Sequence, residues 1–311
     1  MTDWTAENVP DLSGKTVVVT GANSGLGFEA TKLFTQNGAH VVMACRDLGR
    51  AESAASEIRS DVSAASLTVS ELDLADLDSV HSFAEEFKEN HNELHVLCNN
   101  AGVMAIPRSE TEQGFEMQLG VNHFGHFALT ADLFARIRDT PGETRIVNTS
   151  SGLHERGKMD FEDLQSERDY DKWEAYAQSK LANLLFTYEL DRRLDAAGID
   201  DVHSIGTHPG YAATNLQYRG PEASGSRIRL LMNKLANTVI AQSAEMGALP
   251  TLYAATESTV ESGDYIGPQG AFGMRGYPGK AESSERSKDE TAAEKLWSVS
   301  EDLTETQFRL A

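Results

Sequence analysis

An α/β fold, with a doubly wound parallel sheet and helices on both faces, is predicted by three features of the sequence. Short β-branched runs recur along the chain, each followed by a helical stretch of about 10–15 residues. The runs are apolar throughout rather than alternating, as strands covered on both faces are. A glycine-rich turn joins the first run to the first helix, as in a Rossmann-like unit.

Residues 1–13 read as an irregular lead-in. Thr16–Thr20 is the first strand, followed by a glycine turn and a helix over 25–37. His40–Cys45 is the second strand, and residues 48–60 carry charged and small residues at helical spacing. Leu67–Leu72 is the third strand, and a helix follows over 76–91. Leu94–Cys98 is the fourth strand, and a long helix is expected over 112–138. Arg145–Thr149 is the fifth strand. Residues 152–172, polar and charged, read as an insertion loop.

The apolar run after Tyr176 reads as a helix that stops at Ala197-Gly198, because glycine tolerates the left-handed cap. Val202–Gly206 is the sixth strand. Residues 211–235 break the rhythm and are expected to form a substrate lid. Ala244–Thr256 reads as a helix and Tyr265-Ile266 as the last strand. An amphipathic helix over Asp289–Asp302 closes the chain. No repeat or linker interrupts this alternation, so residues 1–311 are expected to form a single domain.

Composition narrows the function. The chain has 311 residues, 40% hydrophobic and 24% charged, enough for a sizeable core. No apolar run reaches the about 18 residues of a membrane span. The polar, acidic start resembles neither a secretory signal nor a transit peptide, so a cytoplasmic protein is expected. Cys45 and Cys98 fall in expected buried strands and read as small hydrophobes in a reducing compartment. With 48 acidic against 27 basic residues the net charge is −21, which argues against nucleic-acid and anionic-membrane partners. The acids are spread over the chain, a pattern that suits a salt-rich cytosol where screening relieves self-repulsion.

The candidate chemistry begins at Gly21-Ala-Asn23-Ser24-Gly25-Leu26-Gly27, between strand and helix. Glycines let the turn close against a pyrophosphate, and the helix start offers unpaired N–H groups and a positive dipole end. The second strand ends Ala44-Cys45-Arg46. A carboxylate at the Cys45 position would chelate the ribose hydroxyls of NAD. The adjacent Arg46 guanidinium suits a 2′-phosphate, so NADP(H) is favoured over NAD(H), unless Arg46 pairs with Asp47. Asp73 can accept from an adenine amino group. Asn99-Asn100-Ala101-Gly102 lies at the carboxyl end of the fourth strand, where open α/β sheets bind ligands. Tyr176 and Lys180, four apart on a helix, can converge, and a nearby ammonium would lower the tyrosine pKa.

Together these residues resemble the short-chain dehydrogenase/reductase family. The markers are Thr20-Gly-x-x-x-Gly-x-Gly27, Asn99–Gly102, Asn122, Ser150-Ser151, Tyr176-x-x-x-Lys180 and Pro209-Gly210. Within the family the chain is most similar to the retinol-dehydrogenase-type branch. Ala44-Cys-Arg-Asp47, Val121-Asn-His-Phe-Gly-His-Phe127 and Leu296-Trp-Ser-Val-Ser-Glu301 carry that likeness. Animal members of the branch are often anchored in a membrane at the N-terminus, and no such anchor is expected here.

The resemblance implies a tetrad of Asn122, Ser151, Tyr176 and Lys180. Tyr176 is implied as acid/base. Lys180 lowers its pKa and bonds the nicotinamide ribose. Ser151, the second of the serine pair, steadies the substrate oxygen. Asn122 holds a kink and a relay water. Pro209, Gly210 and Thr214 are implied at the nicotinamide, Thr214 bonding its carboxamide. His123, His126, His154 and His208 show no convincing metal spacing and read as core or loop residues.

The expected reaction is hydride transfer between NADP(H) and an alcohol/carbonyl pair, an apolar aldehyde or ketone on one side. Met104–Ile106, Leu153-His154 and the 211–235 segment would bound the substrate. Pairing into a homo-oligomer through the helices at 112–138 and 176–197 is implied by the resemblance. Two other readings stay open: reduction of a carbon–carbon double bond on the same fold, and a non-catalytic dinucleotide-binding regulator.

Overall fold

The computed structural model describes residues 3–210, 243–270 and 273–310. The expected lid at 211–235 and Thr214 lie outside the described residues.

One sheet of eight strands organises the fold. In chain order the strands are β1 (Thr16–Thr20), β2 (His40–Cys45), β3 (Ser66–Glu71), β4 (Val96–Asn99), β5 (Thr144–Thr149), β6 (Val202–Thr207), β7 (Tyr265–Pro268) and β8 (Pro278–Lys280). Their spatial order is β3-β2-β1-β4-β5-β6-β7-β8. Every pair is parallel except β7 with β8. The apolar strands are explained by burial on two sides. Val18 and Val42 face one core with Phe83, Phe124 and Leu185. Their neighbours Val17, Val19, Val41 and Met43 face the other core with Phe34 and Leu252.

The chain runs outward from β1 to β3 and then returns to β4 on the other side of β1. The loops after β1 and β4 therefore diverge, which opens a crevice at the carboxyl edge of the sheet. Helix α1 (Gly25–Gln36) leaves β1 there, α2 (Leu48–Asp61) leaves β2, and α3 (Leu77–Asn90) follows β3.

Most boundaries fall within a residue or two of expectation, and two do not. The helix expected over 112–138 begins only at Met117. Residues before it form a turn bridged between Glu110 and Glu116. The Glu116 carboxylate takes the N–H groups of Gln118 and Leu119 and so caps the helix later than its apolar pattern suggests. After Leu119 comes a π-turn, Gly120–Phe124, and then helix α4 (Gly125–Arg138). Tyr265-Ile266 is also not the last strand: β8 pairs with it antiparallel, through Pro278-Gly279-Lys280, a composition that hides an edge strand.

Helix α5 (Lys172–Ala197) starts at an Asp171 cap and stops at Gly198, whose φ is 67°. Helix α6 (Ala244–Thr256) packs on α1, and α7 (Glu290–Thr304) packs on α5. Trp297 of α7 sits 5.3 Å from the Phe127 ring and 5.8 Å from Phe186, with Arg193 over its face. The chain's own C-terminal helix thus covers the aromatic face between α4 and α5, the helices through which pairing was expected. Among the described residues no helix is long and apolar enough to cross a membrane.

Candidate active site

The crevice between the β1 and β4 loops holds a cleft of about 270 Å³. Of the expected cofactor residues, Gly21, Asn23, Ser24, Gly25, Leu26, Gly27, Arg46, Asp73, Ala101 and Gly102 line it. Its shape depends on two glycines. Gly25 opens α1 at φ 56°, a left-handed backbone that other residues adopt at a cost. Gly27 lies so close to the turn that an added Cβ would stand 2.7 Å from the Asn100 amide. Ser24 sits at the N-cap without capping the helix with its own side chain, which leaves first-turn N–H groups open to an external anion. A backbone cradle of this kind fits a dinucleotide pyrophosphate.

At the far end of the cleft Asp47 does not pair with Arg46. Its carboxylate caps α2 by accepting the Arg50 N–H at 3.0 Å. Arg46 instead stands 3.9 Å from Asp73 and is largely exposed. Arg50 lines the same cleft and was missed in the sequence, because its place one turn into α2 shows only once the Asp47 cap is seen. Cys45 is buried with its sulfur facing the N–H groups of Ala22 and Asn23, and burial pushes its thiol up to about 11.

Asn99 departs from expectation. Its side chain points under the sheet, donating to Thr130 and Asn148 at 3.0 and 2.9 Å, so only its strand position serves the site.

The second half of the site lies over β5 and β6. Tyr176 is in the second turn of α5, since the helix begins at Lys172. The Ser151 hydroxyl lies near enough to its phenol to temper the effect of burial on it, and accepts the Leu153 N–H at 3.2 Å. Ser150 is occupied elsewhere, donating to the Lys180 carbonyl at 2.7 Å, which leaves Ser151 as the serine that faces Tyr176. Lys180 is buried and its Nζ donates to the Thr149 carbonyl at 2.9 Å. Asn122 sits in the π-turn, where π-bulges are frequent at functional sites. Its side chain accepts from Val103 N at 2.8 Å and donates to Val103 O and to Ser179, the neighbour of Lys180. Pro209 follows β6, and Gly210 holds φ 64° against the Met274 carbonyl.

One expectation is reversed. Lys180 does not lower the Tyr176 pKa: burial dominates and pushes the phenol up to about 12. The same burial takes Lys180 down to about 8, and its Nζ lies 5.8 Å from the tyrosine ring centre. Loss of water shifts both towards their neutral forms: Tyr176 keeps its proton, and Lys180 gives its own up above pH about 8. The folded chain therefore binds fewer protons at Lys180 than the unfolded chain between pH about 8 and the ordinary 10.5. Stability should rise with pH across that window, until ionisation of Tyr176 in the unfolded chain opposes it above 10. Urea midpoints of the wild type and Lys180→Met from pH 7.5 to 9.5 test this. The wild type should gain on the variant by about 2 kcal/mol over that range, the part of the Lys180 shift that it spans. A constant difference would overturn it.

The Met104–Ile106 stretch, expected to bound the substrate, is held from outside the cleft. Ala105 holds φ 51° and its N–H donates to the Gln118 side-chain Oε1 at 2.7 Å. Tyr170, from the insertion loop, reaches the Ile106 carbonyl at 3.0 Å and takes the Gln118 amide at 2.8 Å. The insertion thus braces the site. His154 is buried and lies behind Ser151 rather than in the wall. Its Nδ1 donates to the Ser151 carbonyl at 2.7 Å and its Nε2 accepts from Ser284 N at 3.1 Å.

A glycine cradle, a hydroxyl pair and a buried lysine at the carboxyl edge of a parallel sheet define a class, and comparison with known proteins agrees. Residues 15–223 match the short chain dehydrogenase family, and the chain belongs to it. It falls in the retinol-dehydrogenase-like branch: it is 41% identical to human retinol dehydrogenase 12 over 294 residues, 94% of this chain and 87% of that protein. It is equally 41% identical to mouse retinol dehydrogenase 14, over 93% of this chain and 86% of that one. A solved structure of an uncharacterized Mycobacterium paratuberculosis protein is 42% identical and superposes with a TM-score of 0.82, covering 99% of this chain and 100% of that one. A Beutenbergia cavernae protein solved with NADP at low occupancy is 26% identical with a TM-score of 0.63, over 82% and 95% of the two chains. The chain is an oxidoreductase of the CH–OH/C=O type.

Proposed function

We propose that the chain transfers hydride between NADP(H) and an alcohol/carbonyl pair whose carbonyl form is an apolar aldehyde or ketone. The observation that carries this reading is the Ser151–Tyr176–Lys180 group beside the glycine cradle, with two guanidinium groups at the cradle's far end.

The nicotinamide, when bound, supplies or takes the hydride. The chain's residues do the rest. The first turn of α1 and the Gly21–Gly27 backbone hold the pyrophosphate. Arg46 and Arg50 take the adenosine end, where their charge complements a 2′-phosphate. Tyr176 keeps its proton at neutral pH, as the donor in carbonyl reduction must. Ser151 receives the Leu153 N–H on its oxygen, so its own proton is free to steady a substrate oxygen. Lys180, its pKa brought down to about 8, can pass a proton to the site, and Asn122 fixes the helix beside it. Apolar Met104 and Ile106 suit an apolar substrate. The net charge of −21 supports a salt-rich cytoplasm as the setting.

Arg46→Asp should lower kcat/KM for NADPH relative to NADH about 10–100-fold, the worth of a charge-assisted bond. An unchanged ratio would remove the argument for NADP(H). The reading as a whole is tested by NADPH oxidation with a panel of apolar aldehydes and ketones at low and molar salt, with product identification. Reduction of carbon–carbon double bonds alone, or NADPH binding without turnover of any carbonyl, would defeat it.

A further inference from the structure

The site has two halves: the cofactor wall at Asn100–Ala101 and the proton-transfer group around Asn122, Ser179 and Lys180. One buried side chain touches both. His126, in the first turn of α4, is 4% exposed. Its Nδ1 is 3.1 Å from the Asn122 carbonyl and its Nε2 is 2.9 Å from the Thr20 hydroxyl.

The proton positions follow from the partners. A carbonyl only accepts, so Nδ1 carries the hydrogen. Burial, and the nearby Lys180 charge, keep the ring neutral, with a pKa taken down to about 3. Nε2 is then an acceptor, and the Thr20 hydroxyl donates to it. The same proton's other acceptor, the Cys98 carbonyl, is farther at 3.3 Å. The Thr20 oxygen is filled on its acceptor side by the N–H groups of Asn100 and Ala101, both at 2.9 Å. The π-turn explains the other contact. Its i→i+5 bonding displaces Asn122 from the regular helical ladder, and a ring four residues on reaches the Asn122 carbonyl.

We propose that His126 is a positioning residue for the hydride-transfer reaction, its Nε2 holding the cofactor wall through Thr20 and its Nδ1 holding the proton-transfer group through Asn122. The inference rests on the function proposed above. It predicts that the two nitrogens have separable roles. Asparagine at this place keeps a donor near Nδ1 and loses the Thr20 contact. Glutamine keeps an acceptor near Nε2 and loses the Asn122 contact.

The test measures NADPH Kd by fluorescence, kcat with nonanal as the carbonyl probe, and Tm, for the wild type, His126→Asn and His126→Gln. His126→Asn should raise the NADPH Kd about tenfold, one lost hydrogen bond, and leave kcat within a factor of about two. His126→Gln should leave Kd within that factor and lower kcat at least about tenfold, through misplacement near Lys180. Parallel changes of Kd and kcat in both variants, or no change beyond a factor of about two in either, would overturn the proposal. Should either variant fail to fold, ¹⁵N imidazole spectra of the wild type decide: His126 must be the Nδ1–H tautomer with its Nε2 resonance shifted by NADPH. An Nε2–H tautomer, or a resonance indifferent to NADPH, overturns it. A wild type that neither binds NADPH nor reduces any carbonyl defeats the functional reading itself. The tautomer would still report whether the network is as described.

Discussion

Replacing Tyr176 by phenylalanine should lower kcat for carbonyl reduction about 10²–10⁴-fold, the usual worth of a positioned general acid, while NADPH still binds. The variant removes one oxygen from a ring that is otherwise packed and 4% exposed, so the helix keeps its shape. Ser151 loses its phenol neighbour but keeps the Leu153 N–H, and the loss of about 1 kcal/mol of stability is small against the total. The loss should therefore fall on kcat, with the NADPH-free protein folded and its nucleotide binding measurable. Turnover at the wild-type rate would show that the proton comes from elsewhere and that Tyr176 is a packed core residue.

Gly27→Ala should abolish or strongly weaken NADPH binding. The added methyl carbon would lie 2.5 Å from the Gly21 carbonyl oxygen and 2.7 Å from the Asn100 amide nitrogen. The first contact is backbone, so the glycine turn itself must move. Overpacking of this kind costs about 1–3 kcal/mol, and here the displaced atoms are the cradle. A rise in NADPH Kd of at least about tenfold is expected, with a lowered Tm; tenfold corresponds to about 1.4 kcal/mol. Gly49→Ala is the control: its methyl would meet only the Asp47 carboxylate at 3.5 Å, an ordinary contact in α2. It should leave Kd unchanged. Equal effects from both substitutions would mean that the Gly27 result reports stability and not the cradle.

Much of the fold was legible before any coordinate. Val17–Val19 and Val41–Met43 are apolar at every position because both faces of their strands are covered, so the run itself marks a central parallel strand. The glycine turn was legible for the same reason that Gly27→Ala should fail: the chemistry of close approach admits no side chain. Tyr176 and Lys180 were legible from their helical spacing and Ser151 from the family resemblance, and the structure sets all three over β5 and β6.

The misses have a common origin. Glu116, a charged residue inside an apolar pattern, stops the helix from extending to 112 because its carboxylate is turned inward to cap. β8 is hidden because Pro278-Gly279-Lys280 is an edge, where pairing and not propensity makes the strand. Arg50 carries no motif that marks it, and His126 stands inside the Val121–Phe127 stretch with nothing in the sequence to assign it a contact. One enters the cleft only through the Asp47 cap. The other matters only because a π-turn brings the Asn122 carbonyl to its ring.

The sequence alone determined the layering of the sheet, the family, and which side chains could do chemistry, because periodicity and residue type are local properties of the chain. The tertiary structure alone decided their state. Tyr176 and Lys180 four apart on a helix suggested a stabilised phenolate. Packed together away from water, both are instead shifted towards their neutral forms, with the phenol pushed up to about 12 and the amine down to about 8. Charge is set by the surrounding dielectric and by partners distant in sequence, such as the Thr149 carbonyl on Lys180, and neither is written in the spacing of the residues themselves.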